Sequence, residues 1–172
     1  MRSNGSSSAE TSSVEPEKRC LTGSLTSAGL VLAAGRGLGS RAGFLALVEL
    51  AELLGAQVAG TRGALHERWI SHQREIGLSG VRTAPEVYVG LGVSGANFHT
   101  IGMEHAGYII AVNPDPAARI HELAHCSIFA DANLCVRELT AHVQELGQKG
   151  VKLDPAAVKA YFQEMAGRQQ RL

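Results

Sequence analysis

The chain is 172 residues long, room for a single domain with an irregular end. Its 16 Lys plus Arg balance 16 Asp plus Glu, which excludes a nucleic-acid or membrane-surface role driven by bulk charge. At 45% hydrophobic and 19% charged the composition is globular, and no apolar run reaches the roughly 18 to 20 residues of a membrane-spanning helix.

Residues 1–25 read as a disordered tail or linker. They are Ser-rich and lack the apolar stretch of a secretory signal, while Glu10, Glu15 and Glu17 argue against a transit peptide. Cys20, Cys126 and Cys135 form no C-x-x-C pair, as expected in a reducing compartment, and Cys126 reads as an inert core thiol. From Ala28 to Ala34 a continuous apolar run predicts a strand buried on both faces. It enters the turn Gly35-Arg36-Gly37-Leu38-Gly39-Ser40, followed by an amphipathic helix carrying Phe44, Leu47, Val48, Ala51 and Leu54 and closed by Gly55. A short strand is expected over Gln57 to Thr61, a short helix over Gly63 to Trp69 and a turn at 77–80. A third strand is expected over Glu86 to Leu91, then a short helix from Ser94 to Met103 with Ser94 as its cap. Tyr108 to Val112 reads as a fourth strand, Asp115-Pro116 as the start of a short helix, Ser127 to Ala130 as a fifth strand and Leu134 to Leu146 as a helix. In residues 147–172, Asp154-Pro155 opens a helix with the apolar stripe Val158, Tyr161, Phe162 and Met165, which predicts either docking on its own domain or a partner contact.

Strands alternating with helices at this spacing predict an α/β fold with a doubly wound, mostly parallel sheet over residues 26–146 and an amphipathic C-terminal helix beyond. Ligands of such sheets bind beyond the carboxyl ends of the strands, and here each strand runs into Gly, Ser, Thr, Asn or Asp. The Gly35 to Gly39 turn is not a dinucleotide fingerprint, because Ser40 stands where the third Gly belongs and no acidic residue closes the second strand. It remains a tight turn where backbone approaches a ligand, with Arg36 projecting from it. Ser94-Gly95-Ala96-Asn97-Phe98-His99 combines small residues with a helix start, the arrangement that exposes N–H groups to a phosphate. His121-Glu122-Leu123-Ala124-His125 matches H-E-x-x-H, with Asp131 placed as a possible third ligand, so a zinc hydrolase using His121, Glu122 and His125 stands as an alternative.

Five segments, in unbroken order, resemble the C-terminal FAD-binding domain of the electron-transfer flavoprotein alpha subunit. They are Gly35-Arg36-Gly37-Leu38; Thr61-Arg62; Ile76-Gly77-Leu78-Ser79-Gly80; Ala84-Pro85-Glu86-Val87-Tyr88-Val89 running into Gly92-Val93-Ser94-Gly95-Ala96 with His99; and Asn113 with Asp115. The family's counterparts look like G-R-G-L, S-R, V-G-Q-T-G, A-P-x-L-Y-I-A-x-G-I-S-G-A-x-Q-H and I-N-x-D. The resemblance implies the family's DHS-like sheet, with FAD along the strand ends and no metal. It implies Arg62 packed on the flavin ring and His99 at the flavin's pyrimidine end, where a cation or N–H donor raises the reduction potential. Ser79 stands for a Thr whose hydroxyl reaches the flavin N5, within a flavin-side stretch that includes Ile76, Gly77 and Leu78. Arg36, Thr61, Ser94, Gly95 and Ala96 match phosphate- and ribityl-side positions, with Asn97 and Phe98 beside them, and Asn113 and Asp131 match the adenosine side. Departures are Phe98 and Leu78 in place of two Gln, Pro114 in place of a Lys, and Glu75 where the family usually has Gln. The Glu75 charge predicts a lower flavin potential than is usual in the family.

The function so implied is an electron carrier rather than an enzyme. It passes electrons from a flavin dehydrogenase to a downstream acceptor, with a beta-type subunit as partner, in the bacterial cytoplasm rather than the mitochondrial matrix. A module holding FAD or AMP without redox function is a further alternative. The family's alpha subunit carries an additional N-terminal α/β domain, whereas residues 1–25 resemble at most the linker that follows it, and the C-terminal helix is expected to cover surface that domain would bury.

Overall fold

The computed structural model describes residues 18–172. Five strands, β1 (Leu30–Ala34), β2 (Gln57–Gly60), β3 (Val87–Leu91), β4 (Tyr108–Val112) and β5 (Cys126–Ile128), form one sheet in the order β2-β1-β3-β4-β5. Every pair is parallel, so the mostly parallel sheet expected from the sequence is wholly parallel among the described strands. β1 and β3 are buried along their whole length, as their unbroken apolar runs require. Alternate residues of β1 enter opposite sides. Leu30, Leu32 and Ala34 join one core cluster; Val31 and Ala33 join the other.

The helices are α1 (Arg19–Thr22), α2 (Arg41–Leu54), α3 (Arg62–His66), α4 (Asn97–Thr100), α5 (Ile120–Leu123), α6 (Ala132–Gln148) and α7 (Pro155–Gln170). α2 begins where the Ser40 hydroxyl accepts from the Gly43 N–H and ends at Gly55 in the left-handed region, which a residue without Cβ takes at no steric cost. α2, α6 and α7 bury their apolar faces on one side of the sheet, with Phe44, Leu47, Val136, Leu139, Val158 and Phe162 in one cluster. Residues of the β3–β4 and β4–β5 connections, Met103 and Ile120 among them, cover the opposite side. Connections on both faces make the sheet doubly wound.

Several boundaries differ from expectation. The tail expected over residues 1–25 lies largely outside the described residues, but its last part is packed. Cys20 and Leu25 are buried, and the Arg74 guanidinium reaches this region, its Nη1 donating to Gly23 O and its Nη2 to Cys20 O as well as to Gln57 Oε1. Sequence reading missed this because Arg74, whose Nε also bonds Val58 O, is remote in the chain. Ser94 does not cap a helix. Gly95 at φ 88° turns the chain in the left-handed region, and α4 starts only at Asn97. Asp115-Pro116 forms a turn, with the Asp115 carboxylate accepting from the Ala117 N–H, and the helix begins at Ile120. The stripe on α7 lies on its own domain: Val158 and Phe162 are fully buried, and Tyr161 and Met165 pack beside them.

Candidate functional site

At the carboxyl ends of β1, β2, β3 and β4 the structure opens a cleft of about 450 Å³, within the range of small-molecule sites. β1 lies between β2 and β3, so the chain leaves β1 toward one side and returns at β3 on the other. The cleft sits at that reversal, where the loops diverge and leave space. Ten of the residues expected at a site line it: Arg36, Thr61, Arg62, Ile76, Ser94, Gly95, Ala96, Phe98, His99 and Asn113. Gly37, Gly63, Glu75 and Gly92 complete the lining.

Close backbone packing shapes the floor. The Gly37 N–H donates to Gly92 O (3.0 Å) and the Gly35 N–H to Leu91 O (2.9 Å). Gly92 has φ 70°, and a Cβ there would stand 2.7 Å from the Gly37 backbone; a Cβ on Gly95 would collide with the Ile120 N–H. The Arg36–Leu38 turn is pinned from behind by Asn133 of α6, which donates to Leu38 O (2.9 Å). The Arg36 side chain is left largely exposed over the cleft, with Glu67 at 4.0 Å. The N–H groups of Ser94, Gly95 and Ala96 donate to no described residue, because the chain here is neither strand nor helix. A guanidinium beside unpartnered N–H groups is a donor set for a phosphate-bearing ligand.

At the other end of the cleft Thr61 caps α3, its hydroxyl accepting from the Ala64 N–H (3.3 Å). That cap sends Arg62 back over the mouth. The Arg62 Nη2 donates to Ser79 Oγ (2.6 Å), its Nε lies 3.4 Å from Glu75 Oε1, and its guanidinium carbon is 5.9 Å from the Phe98 ring centre. The Leu78 N–H donates to Phe98 O (2.7 Å), which brings the 77–80 turn to the rim although Gly77, Leu78 and Ser79 do not line the cleft itself. Leu78 and Phe98 are both more than half exposed there.

His99 is buried beneath this end. Ile76 O can only accept, so it takes the His99 Nδ1–H (3.1 Å), and Nε2 accepts from the Tyr88 hydroxyl (2.7 Å). Burial pushes the imidazole down to about 4, the bond to Ile76 O offsetting this only in part, and it pushes the Tyr88 hydroxyl up. The ring is therefore neutral at pH 7 with both nitrogens committed within the protein. The cation or spare N–H expected at His99 is absent from this arrangement. The sequence showed no sign of Tyr88 as its partner, since Tyr88 reads there only as a strand residue.

Asn113 ties two strand ends together, donating to Val93 O (3.0 Å) and accepting from the Asp115 N–H (2.9 Å). Asn97 opens α4 and is exposed, outside the cleft. Asp131 also stands outside it, its carboxylate accepting from the Leu134 N–H (3.0 Å) as the cap of α6. The H-E-x-x-H segment lacks the geometry of a zinc site. α5 ends at Leu123, Ala124 is extended, and His125 falls beyond the helix. The His121 Nδ1 lies 2.9 Å from Ser127 Oγ and its Nε2 lies 3.2 Å from Asn113 O, while the His125 Nδ1 accepts from the Ile109 N–H (2.9 Å). Among the described residues no group of three or more His, Cys, Asp or Glu could hold a metal ion.

Residues 24–104 match the family model described as electron transfer flavoprotein FAD-binding domain. The chain is 40% identical over 115 residues to the electron transfer flavoprotein subunit alpha of Clostridium acetobutylicum, covering 67% of this chain and 34% of that protein. It is 40% identical over 126 residues to the protein FixB of Bradyrhizobium diazoefficiens (73% and 34%), and 38% identical over 122 residues to the electron transfer flavoprotein subunit alpha of Bacillus subtilis (71% and 38%). The chain thus spans between 34% and 38% of the length of these relatives.

Proposed function

We propose that this chain, whose residues 24–104 belong to the electron-transfer flavoprotein FAD-binding domain family, holds FAD in the strand-end cleft and serves as an electron-transfer module. The observation that carries this reading is the pairing of a phosphate-type donor set, Arg36 with the free N–H groups of Ser94 to Ala96, with a second, apolar-rimmed end built from Arg62, Ile76, Phe98 and His99. That polarity suits a diphosphate bearing a flavin at one end. When bound, FAD supplies the reversible uptake of electrons.

The chain's own residues do the holding. Arg36 and the 94–96 backbone bind the diphosphate, and Thr61 stands between them and the flavin end. Arg62, steadied by Ser79, faces the flavin beside Ile76, Gly77 and Leu78. Asn113 orders the strand ends on the adenosine side, with Asp131 at its margin, and Asn97 stands beside the 94–96 backbone. Phe98 and Leu78 exclude water from the rim where the family has amides. His99 and Tyr88 shape the wall without supplying a proton, since both imidazole nitrogens are occupied. The protein is a carrier and not an enzyme with its own substrate. Its partners are a beta-type subunit and a flavin dehydrogenase as donor, and it works in the cytoplasm; none of its described helices is long and apolar enough to cross a membrane.

The test is the visible spectrum and metal content of the purified full chain after incubation with FAD and gel filtration. A yellow protein that bleaches with dithionite and recovers its colour in air is expected. Colourless protein that retains adenine nucleotide, or protein with stoichiometric zinc, would overturn the reading.

A further inference from the structure

Glu75 is a carboxylate placed inside the cleft. Its backbone is fixed at both sides: the Ile76 N–H donates to Gly60 O at the end of β2 (2.9 Å), and the Val81 N–H donates to Glu75 O (2.7 Å). Its side chain is only 7% exposed, yet it lines the cleft. A carboxylate so sheltered is costly without a partner, because removal from water penalises the ion by several kcal/mol or more. Its partner is Arg62, whose Nε stands 3.4 Å away. The same guanidinium donates to Ser79 through Nη2 and faces the Phe98 ring, so it is held on three sides. Among the described residues no buried side-chain nitrogen or oxygen lacks a partner, and this pair contributes to that balance.

We propose that Glu75 is the positioning counter-ion of Arg62. It fixes the guanidinium across the mouth of the cleft and offsets part of its charge, which makes the cleft less favourable to reduced flavin than a neutral amide at the same position would. The inference rests on the FAD reading above. Dithionite, oxidised to sulfite, gives up two electrons; with one proton they convert bound FAD to a reduced flavin carrying one additional negative charge. An uncompensated Arg62 attracts that charge, and an Arg62 already paired with Glu75 attracts it less.

The experiment uses the full chain as wild type, Glu75→Gln and Glu75→Asp, with two readouts. Without FAD, the Arg62 Nε–H resonance in NMR reports the contact: it is expected to shift and exchange faster in Glu75→Gln and to be largely restored in Glu75→Asp. With FAD, dye-equilibrated reductive titration is expected to give a higher potential in Glu75→Gln than in wild type. The corresponding change in the ratio of affinities for reduced and oxidised flavin is expected to be roughly tenfold, well below the roughly thousandfold of one bare charge about 4 Å away through an effective dielectric near 20, because the adjacent Arg62 offsets most of the Glu75 charge. Glu75→Asp stays near wild type. Wild type that binds FAD while Glu75→Gln keeps its potential overturns this inference and leaves the FAD reading intact, whereas wild type that binds no FAD overturns that reading itself. Should Glu75→Gln not fold, Arg62→Lys decides the positioning role. It keeps the charge and loses the fork between Glu75 and Ser79, so FAD affinity is expected to fall several-fold; unchanged affinity overturns the role.

Discussion

His99 shows how far one residue's chemistry depends on what surrounds it. Its ordinary value of 6.5 falls to about 4 on burial, so the unfolded chain binds a proton between those values that the folded chain does not. Folding stability therefore rises with pH from about 4 to 6.5, and protonation below that window works against the fold. The displacement is worth about 3 to 4 kcal/mol at most, using 1.4 kcal/mol per unit. In urea unfolding series across this range, His99→Gln is expected to show a shallower fall toward acid than wild type, whatever its stability at pH 7. Equal slopes would show that His99 does not titrate as its burial requires. Arg74 is a buried ion whose hydrogen-bond partners are all neutral acceptors: Val58 O, Gly23 O, Cys20 O and Gln57 Oε1. Arg74→Met leaves these acceptors without a donor, at an expected cost of about 3 kcal/mol in the urea unfolding free energy. Arg36, Arg62 and His99, which line the cleft, were legible as candidates from their motifs. Their partners were not, because Glu75, Ser79 and Tyr88 are brought to them only by the packing of separate segments.

Among the elements, long ones followed their local pattern and short ones did not. α2 and α6 carry enough periodic apolar residues and well-formed caps to specify themselves, and they lie where the periodicity placed them apart from a few residues at the α6 ends. A helix of four residues has one turn of hydrogen bonds to offset its nucleation cost, so its position is decided by its neighbours. This is why Ser94 and Asp115 end in turns instead of capping helices, and why the H-E-x-x-H segment breaks before its second His. α7 resolves the opposite way to a partner-binding helix: Phe162 is fully buried against the sheet face that α2 and α6 also cover. The amide of Gln169 adds a second tie, donating to Phe129 O and accepting from the Phe129 N–H. Phe162→Ala is expected to cost about 3 to 5 kcal/mol by chemical denaturation, the range for emptying a large aromatic site. A cost below 1 kcal/mol would show that α7 is not part of the core.

For the whole molecule, the decisive event is the reversal of strand order between β1 and β3. It brings the Arg36 turn, the Thr61–Arg62 corner, the 92–96 segment and Asn113 from four separate strand ends to one cleft. The alternation of apolar strands with amphipathic helices by itself determined the fold class, and the motif order determined the family, because both rest on local residue patterns that any neighbouring chain segment must accommodate. It also placed the cleft at the strand ends, since glycine and short polar residues are concentrated there. Only the tertiary structure decided that the sheet's strands run in the order β2-β1-β3-β4-β5, that His99 is neutral and inward-bonded, and that a buried Glu75 stands 3.4 Å from the Arg62 guanidinium. These are outcomes of burial and long-range approach. The dielectric around an ionisable group, and the identity of the one charge within reach of it, depend on residues far away in the chain and so are written in no local pattern.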